Sequence, residues 1–271
     1  MQAHRQSYPV AGPSHQEVKR FLDVKRGRTP RGDGDIALEG AWALAIAMKC
    51  RVPISTVFVC TGRIRGDEPR TLIEQLRGET TEIFEVSARV LGRMVDRDGP
   101  DGVAGIATKR PSSLSDVAVG PASRIVVADR LESVGNLGTV IRSADGAGAA
   151  AVISIDSPFR WGHPLLVKAS MGTIFSTPVV MTDRGRALEW IRRKSLKVVA
   201  ADPAAVTSYR SVDYRGSVAI VVGNERKGLD PSWIANADER VSIPMLGNAD
   251  SLNVGHAAAL LLYEALHQQG T

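Results

Sequence analysis

Two polar loops near the end of the chain carry the side chains best equipped for chemistry. The first, GNERKGL at 223–229, places Asn224 and Glu225 directly after the unbroken apolar run 218–222. The second, PMLGNADSLN at 244–253, places Ser251 and Asn253 directly before a long apolar stretch. A third segment, NLGTVIR at 136–142, contributes Asn136 and Arg142. Amides, a hydroxyl and a carboxylate can hold a polar substrate in a defined orientation. An arginine can grip a phosphate through two parallel N–H donors. Each residue also has a plainer role open to it: helix cap, turn former or exposed charge.

Other chemistries lack their residues. The run GAGAAA at 146–151 matches the dinucleotide fingerprint in spacing alone. That fingerprint needs a strand before it and a helix after it. Here a helix pattern precedes and a strand pattern follows, so the glycines read as a helix end and tight turn. A nicotinamide-linked oxidoreductase is set aside on that ground. No GxxxxGK[ST] loop supports nucleotide hydrolysis, and no GxSxG elbow exposes a serine. His4, His15, His163, His256 and His267 show no ligand spacing with carboxylates or cysteines, so no metal site is expected.

These residues need a scaffold, and the apolar patterning supplies one. Segment 218–222 is a run of β-branched and small apolar residues, the pattern of a strand buried on both faces. Polar groups just past its carboxyl end lie where open α/β sheets bind ligands. Segment 241–243 repeats the arrangement and breaks into 244–247. Ser251 is expected to cap a helix starting at Leu252, whose free N–H groups form an electropositive rim. Gly138 is expected to open another helix, with Asn136 in the loop before it and Arg142 one turn inside.

From 124 onward, strands at 125–128, 151–155, 178–181 and 197–201 alternate with helices at 137–147, 164–171 and 187–193. That alternation implies βαβ crossovers and a mostly parallel sheet. Ahead of it, a helix at 36–48, strands at 56–60, 83–86 and 102–107, and helices at 70–77 and 88–95 form a smaller α/β unit. The organisation expected is a loose polar tail at 1–13, a first domain at 14–112, a linker at 113–121 and a second domain at 122–271.

The 271 residues suit one large or two small domains, and 44% hydrophobic with 23% charged residues is an ordinary globular balance. A net charge of +5 and a pI near 9.4 permit a polyanionic partner without requiring one. Aromatics at 5% are too sparse for base stacking to be the main grip on nucleic acid. Cys50 and Cys60 form no disulfide scaffold, and no apolar run approaches a membrane span, so the cytoplasm is the expected location. Lys19, Arg20, Lys25, Arg26, Arg28 and Arg31 cluster near the start, either as a solvated helix face and loop or as a phosphate-contacting arm.

In order and spacing, NLGTVIRSADGAGA, GNERKGL and IPMLGNADSLNVGHAAALLLYEAL resemble the three motifs of the SpoU/TrmH family of RNA ribose 2′-O-methyltransferases, within the SPOUT superfamily. LEGAWALAIAMK, VPISTVFVC and VSARVLGRMVDRDGPDGVAGIA resemble the L30e-like RNA-binding domain often placed ahead of it. The resemblance implies an α/β architecture: a small L30e-like domain, then a SPOUT domain with a C-terminal trefoil knot. It implies S-adenosylmethionine as cofactor, held at Gly223, Asn224, Ile243 and Leu252, with Met245 and Ala200 as wall residues. It assigns catalysis to Arg142, supported by Asn136, and places Glu225, Ser251 and Asn253 in the same pocket. It also implies a homodimer packed through the C-terminal helix. Two departures stand out: Gly255-His256 replaces small or β-branched apolar residues, and no proline precedes Gly135.

The function implied is methyl transfer to a ribose 2′-hydroxyl, with 23S ribosomal RNA ahead of tRNA as substrate and antibiotic resistance as one role among relatives. A non-catalytic RNA-binding or ribosome-assembly protein on the same fold is the rival.

Overall fold

The computed structural model describes residues 8–28, 34–77, 81–96 and 101–270. The chain divides into two compact units: residues up to Arg110 together with Arg160–Val167, and Pro111–Phe159 together with Lys168 onward. Return of 160–167 to the first unit is a discontinuity that no local pattern signals.

The first unit runs α1 (Gln16–Arg26), β1 (Asp35–Glu39), α2 (Ala41–Lys49), β2 (Ile54–Val59), α3 (Glu68–Leu76), β3 (Glu82–Glu85), α4 (Ala88–Met94) and β4 (Val103–Thr108). Its sheet has the order β1-β4-β2-β3, with β4 antiparallel to both neighbours and β2 parallel to β3. The single helix expected over 36–48 is split. Ile36, Ala37 and Leu38 are buried in β1, and Gly40 turns the chain at φ 88° before α2 begins. Pairing with β4 and burial override the helical propensity of this stretch.

Residues 8–12, expected in a loose tail, are held against β3. The Ala11 N–H donates to the Glu85 carbonyl at 2.8 Å, the Glu85 N–H donates to that of Pro9 at 2.9 Å, and Ala11 is 1% exposed. The unit's core gathers Phe21, Phe58, Val90 and Leu91.

The second unit runs β5 (Arg124–Asp129), α5 (Val134–Gly146), β6 (Ala151–Ile155), α6 (Pro164–Ala169), β7 (Val179–Thr182), α7 (Arg184–Arg193), β8 (Lys197–Ala201), β9 (Val218–Val222), α8 (Pro231–Asn236), β10 (Glu239–Val241) and α9 (Val254–Gln268), with the first residues of α6 belonging to the other unit. Six strands in the order β10-β8-β9-β5-β6-β7 form one sheet, and every pairing in it is parallel. β9 and β5 are central and buried at every position: their inner residues are unalternating apolar runs, and the charged ends of β5, Arg124 and Asp129, are buried as well. The stretch 113–121 has linker composition, yet Val117 is 3% exposed and joins Ile125, Ile153 and Trp190 in this unit's core.

Neighbouring the sheet, α5 and α9 pack against each other. A Cβ on Gly255 would lie 2.6 Å from Thr139 Cγ2, so a residue without a side chain lets the two helices approach there. Among the described residues no helix is long and apolar enough to cross a membrane.

Candidate active site

The loops that follow β9 and β10 leave the carboxyl ends of parallel strands, where the ladder stops and open α/β sheets bind ligands. Together with the start of α9 they enclose a half-open cleft of about 930 Å³. Gly223, Asn224, Glu225, Ile243, Met245, Ser251, Leu252, Asn253 and Asn136 all line it. Ala200 does not: it is fully buried in β8, and its neighbour Ala201 reaches the cleft instead. Successive strand residues face opposite sides of the sheet, and the expectation is one position out of phase. Arg142 is also absent from the lining.

Gly223 allows the first loop to double back on itself. A Cβ there would meet the Gly228 carbonyl carbon at 2.5 Å and the Leu229 nitrogen at 2.6 Å. The turn is closed by paired backbone bonds between Asn224 and Gly228, at 3.1 and 2.9 Å. Asn224 Oδ1 accepts the N–H groups of Arg226 and Lys227, each at 2.9 Å, and its amide donates to the Arg130 carbonyl at 2.8 Å. Asn224 is thus a scaffold for the loop, 8% exposed. Glu132, which the sequence patterns did not single out, also accepts from the Asn224 amide, at 3.2 Å.

Glu225 reaches the start of α5. Its carboxylate accepts the N–H groups of Glu132 at 2.9 Å and Ser133 at 3.3 Å, and the Asn136 amide at 2.7 Å. Partial burial alone would raise its pKa, but these donors outweigh that and hold it below the usual glutamate value. Asn136 Oδ1 in turn accepts from Asn253 Nδ2 at 3.0 Å. Asn253 Oδ1 then caps α9 through the Gly255 N–H at 2.9 Å. The cap is therefore Asn253 and the helix starts at Val254, two residues later than expected, which leaves Ser251 exposed at the cleft rim.

α5 likewise departs from expectation, by starting earlier. Ser133 caps it by accepting the Asn136 N–H, so Asn136 sits in the first turn rather than in a preceding loop. Arg142 consequently lies more than two turns along the helix, exposed, with no described residue hydrogen-bonded or ion-paired to its guanidinium. The backbone N–H groups of Ile243, Met245 and Leu252 likewise have no acceptor among the described residues, and all three residues line the cleft.

The basic segment near the N-terminus divides into two groups. Arg20 pairs with Asp35 at 2.8 Å and Glu17 at 3.1 Å, and Lys25 with Glu39 at 2.8 Å and Asp96 at 2.7 Å. Those two cations hold the first unit together instead of facing a phosphate. Lys19, Arg26 and Arg28 are exposed, with Arg28 only 3.8 Å from the exposed Asp23 carboxylate; Arg31 lies outside the described residues.

Comparison with known proteins adds to this geometry. The SpoU rRNA Methylase family matches residues 123–263. A 23S rRNA (uridine(2479)-2′-O)-methyltransferase of Streptomyces viridochromogenes is 28% identical over 94% of this chain and 89% of its own length. The 23S rRNA (guanosine(2553)-2′-O)-methyltransferase RlmP of Bacillus subtilis is 26% identical over 94% and 97%. Among solved structures, an AdoMet-bound rRNA methyltransferase from Sinorhizobium meliloti superposes with a TM-score of 0.85 at 28% identity, covering 98% of this chain and 100% of that one. The match over more than half the chain, carrying the glycine turn, the paired asparagines and the α9 cap, places this protein in the SpoU rRNA methylase family.

Proposed function

We propose that this protein transfers a methyl group from S-adenosylmethionine to a ribose 2′-hydroxyl of 23S ribosomal RNA. The observation that carries the reading is the cleft: three separate segments converge through Glu225, Asn136 and Asn253 beside backbone N–H groups that lack partners among the described residues. Such donors suit the purine and carboxylate acceptors of S-adenosylmethionine, and the turn at Gly223, too tight for a side chain, brings that loop's backbone to the cleft wall. Gly223, Ile243 and Leu252 are the residues proposed to hold it, with Met245 as wall. Bound there, it supplies an electrophilic methyl group.

The protein's own part is orientation. A ribose hydroxyl holds its proton far above neutral pH, so the attacking oxygen must be aligned with the methyl group and release its proton to water as the new C–O bond forms and the S–C bond breaks. Asn136, Ser251 and Asn253 are proposed to orient the sugar, and the ionised Glu225 to fix Asn136. Arg142 is proposed to grip the adjoining phosphate. The exposed Arg142, absent from its own chain's lining, supports a homodimer in which it serves the cleft of a second copy. Leu260 at 39% and Tyr263 at 50% exposure on α9 offer an apolar face for that contact. A C-terminal trefoil knot around the 223–230 turn and action in the cytoplasm complete the proposal.

The test is incubation of the purified protein with methyl-labelled S-adenosylmethionine and protein-free 23S RNA. Label recovered in a 2′-O-methylnucleoside is the expected result. Label in tRNA alone would move the substrate to the second reading, and cofactor binding with no transfer to either RNA would favour a non-catalytic role. The two relatives' names specify uridine and guanosine, so the family does not dictate the base.

A further inference from the structure

Outside the cleft lining, two carboxylates and two guanidiniums meet at the carboxyl end of β5. Asp129, the last residue of β5, is 0% exposed. Its Oδ1 accepts from Arg184 Nη2 at 3.2 Å, and its Oδ2 lies 3.5 Å from Arg130 Nε. Asp230, the cap of α8, completes the ring, 3.1 Å from Arg184 Nη1 and 3.4 Å from Arg130 Nη2. Each carboxylate faces both guanidiniums, and the group is neutral as a whole.

The location gives this ring a consequence. Arg130 has a left-handed backbone at φ 50°, rare for a residue with a side chain. That conformation aims its carbonyl at the Asn224 amide, 2.8 Å away. Just beyond it, Glu132 and Ser133 present the two N–H groups that hold Glu225. Asp230 ends the turn on which Asn224 and Glu225 sit. The ring therefore pins one loop at its first residue and the other at its last. Burying a carboxylate as fully as Asp129 costs stability unless it is paired, and a core built for stability alone would do as well with apolar residues.

We infer that Asp129, Arg130, Arg184 and Asp230 are positioning residues for methyl transfer. They set the 223–230 turn against the 130–133 loop so that Glu225 aims Asn136 into the cleft. This rests on the proposed activity for its catalytic readout, but the loop geometry is testable without it. Removing one member leaves the ring with a net charge and one fewer tie between the two loops; a displacement of about 1 Å at a reacting centre costs on the order of 10²-fold in rate.

The experiment compares the wild type with Arg184→Gln, Arg184→Lys and Asp230→Asn by amide hydrogen exchange and by methyl-transfer kinetics. Arg184→Gln and Asp230→Asn are expected to lose protection in 130–133 and 223–230 while β5, β6 and β9 stay protected. In the same variants kcat falls about 10²-fold with the KM for RNA within a few-fold, and Arg184→Lys recovers part of kcat. Unchanged exchange in both loops overturns the inference, as does a rate loss that cooling below the variant's melting range fully restores. If the wild type transfers no methyl group, the proposed activity fails, and the exchange data alone decide whether the ring positions the loops.

Discussion

Asn136 and Glu225, 89 positions apart, share a 2.7 Å hydrogen bond in which the amide donates to the carboxylate. Because the carboxylate only accepts, this bond fixes which way the amide faces, and Asn136 Oδ1 is left to receive Asn253. One side chain thereby registers the start of α5, the β9 turn and the cap of α9 against each other. Asn136→Asp is nearly isosteric but sets two carboxylates face to face. It should lower kcat by about 10²-fold, the cost of misplacing a reacting group, while the far-ultraviolet spectrum stays that of the wild type; an unchanged kcat would detach this pair from the chemistry.

Arg142 has no side-chain partner among the described residues and does not line its own cleft. Arg142→Ala should therefore leave S-adenosylmethionine affinity within about twofold while methyl transfer falls by at least about 10²-fold, the scale of a removed charge-stabilising donor. Mixing Arg142→Ala with Asn253→Ala protein should restore part of the activity if each copy completes the other. Sedimentation at nanomolar concentration checks the dimer directly.

Gly223 has backbone atoms within 2.7 Å of where a Cβ would stand. Gly223→Ala forces the turn open, at an overpacking cost of about 1–3 kcal/mol. A lower melting temperature together with loss of calorimetric heat for S-adenosylmethionine is the expected pair of results. Full binding in this variant would mean the folded-back turn is dispensable for the cofactor.

Glu225, Asp202 and Asp230 are all held below their ordinary pKa values. For Glu225 and Asp202 burial acts upward and donors such as Glu132, Asn136 and Arg240 outweigh it; for Asp230 the bonds from Ser232 lead. A carboxylate depressed in the folded state adds stability above its unfolded pKa of about 4 and loses it as pH falls through the folded value. Melting temperature should thus be flat from about pH 8 to about 5 and fall below about 4. Glu225→Gln should show a shallower acid decline, measured by calorimetry across that range.

Lys19, Arg26 and Arg28 are the exposed members of the basic segment. Reversing Arg26 and Arg28 to Glu should weaken RNA binding and reduce the salt slope by about one unit for each phosphate that is no longer neutralised. Reversing Arg20 or Lys25 should instead lower the melting temperature, because their charges satisfy Asp35 and Glu39.

Much of the second unit is legible without coordinates. The apolar runs 125–128, 151–155, 197–201 and 218–222 lie in strands of one parallel sheet, since a strand buried on both faces leaves an unambiguous pattern. The helix beginnings are less legible: both Ser133 and Asn253 are polar residues among other polar residues, and which one caps depends on where the helix packs. Residues 36–39 have the composition of the helix they precede, and only their pairing with β4 makes them a strand.

The chemistry-bearing residue types, their order and the apolar runs of the strands that end beside them belong to the sequence alone, because a run of β-branched apolar residues and the glycine that breaks it act through local conformation. Tertiary structure alone decided the rest. It set Glu225 on Asn136 and Asn136 on Asn253, committed Arg20 and Lys25 to internal carboxylates, turned Ala200 inward, and closed the ring of Asp129, Arg130, Arg184 and Asp230. Most of these pairings join residues distant in sequence, 117 positions apart for Asn136 and Asn253. Ala200 depends instead on which face of its strand is buried. Relationships of both kinds are selected by the packing of whole elements, and a one-residue shift of a strand or a cap reverses them.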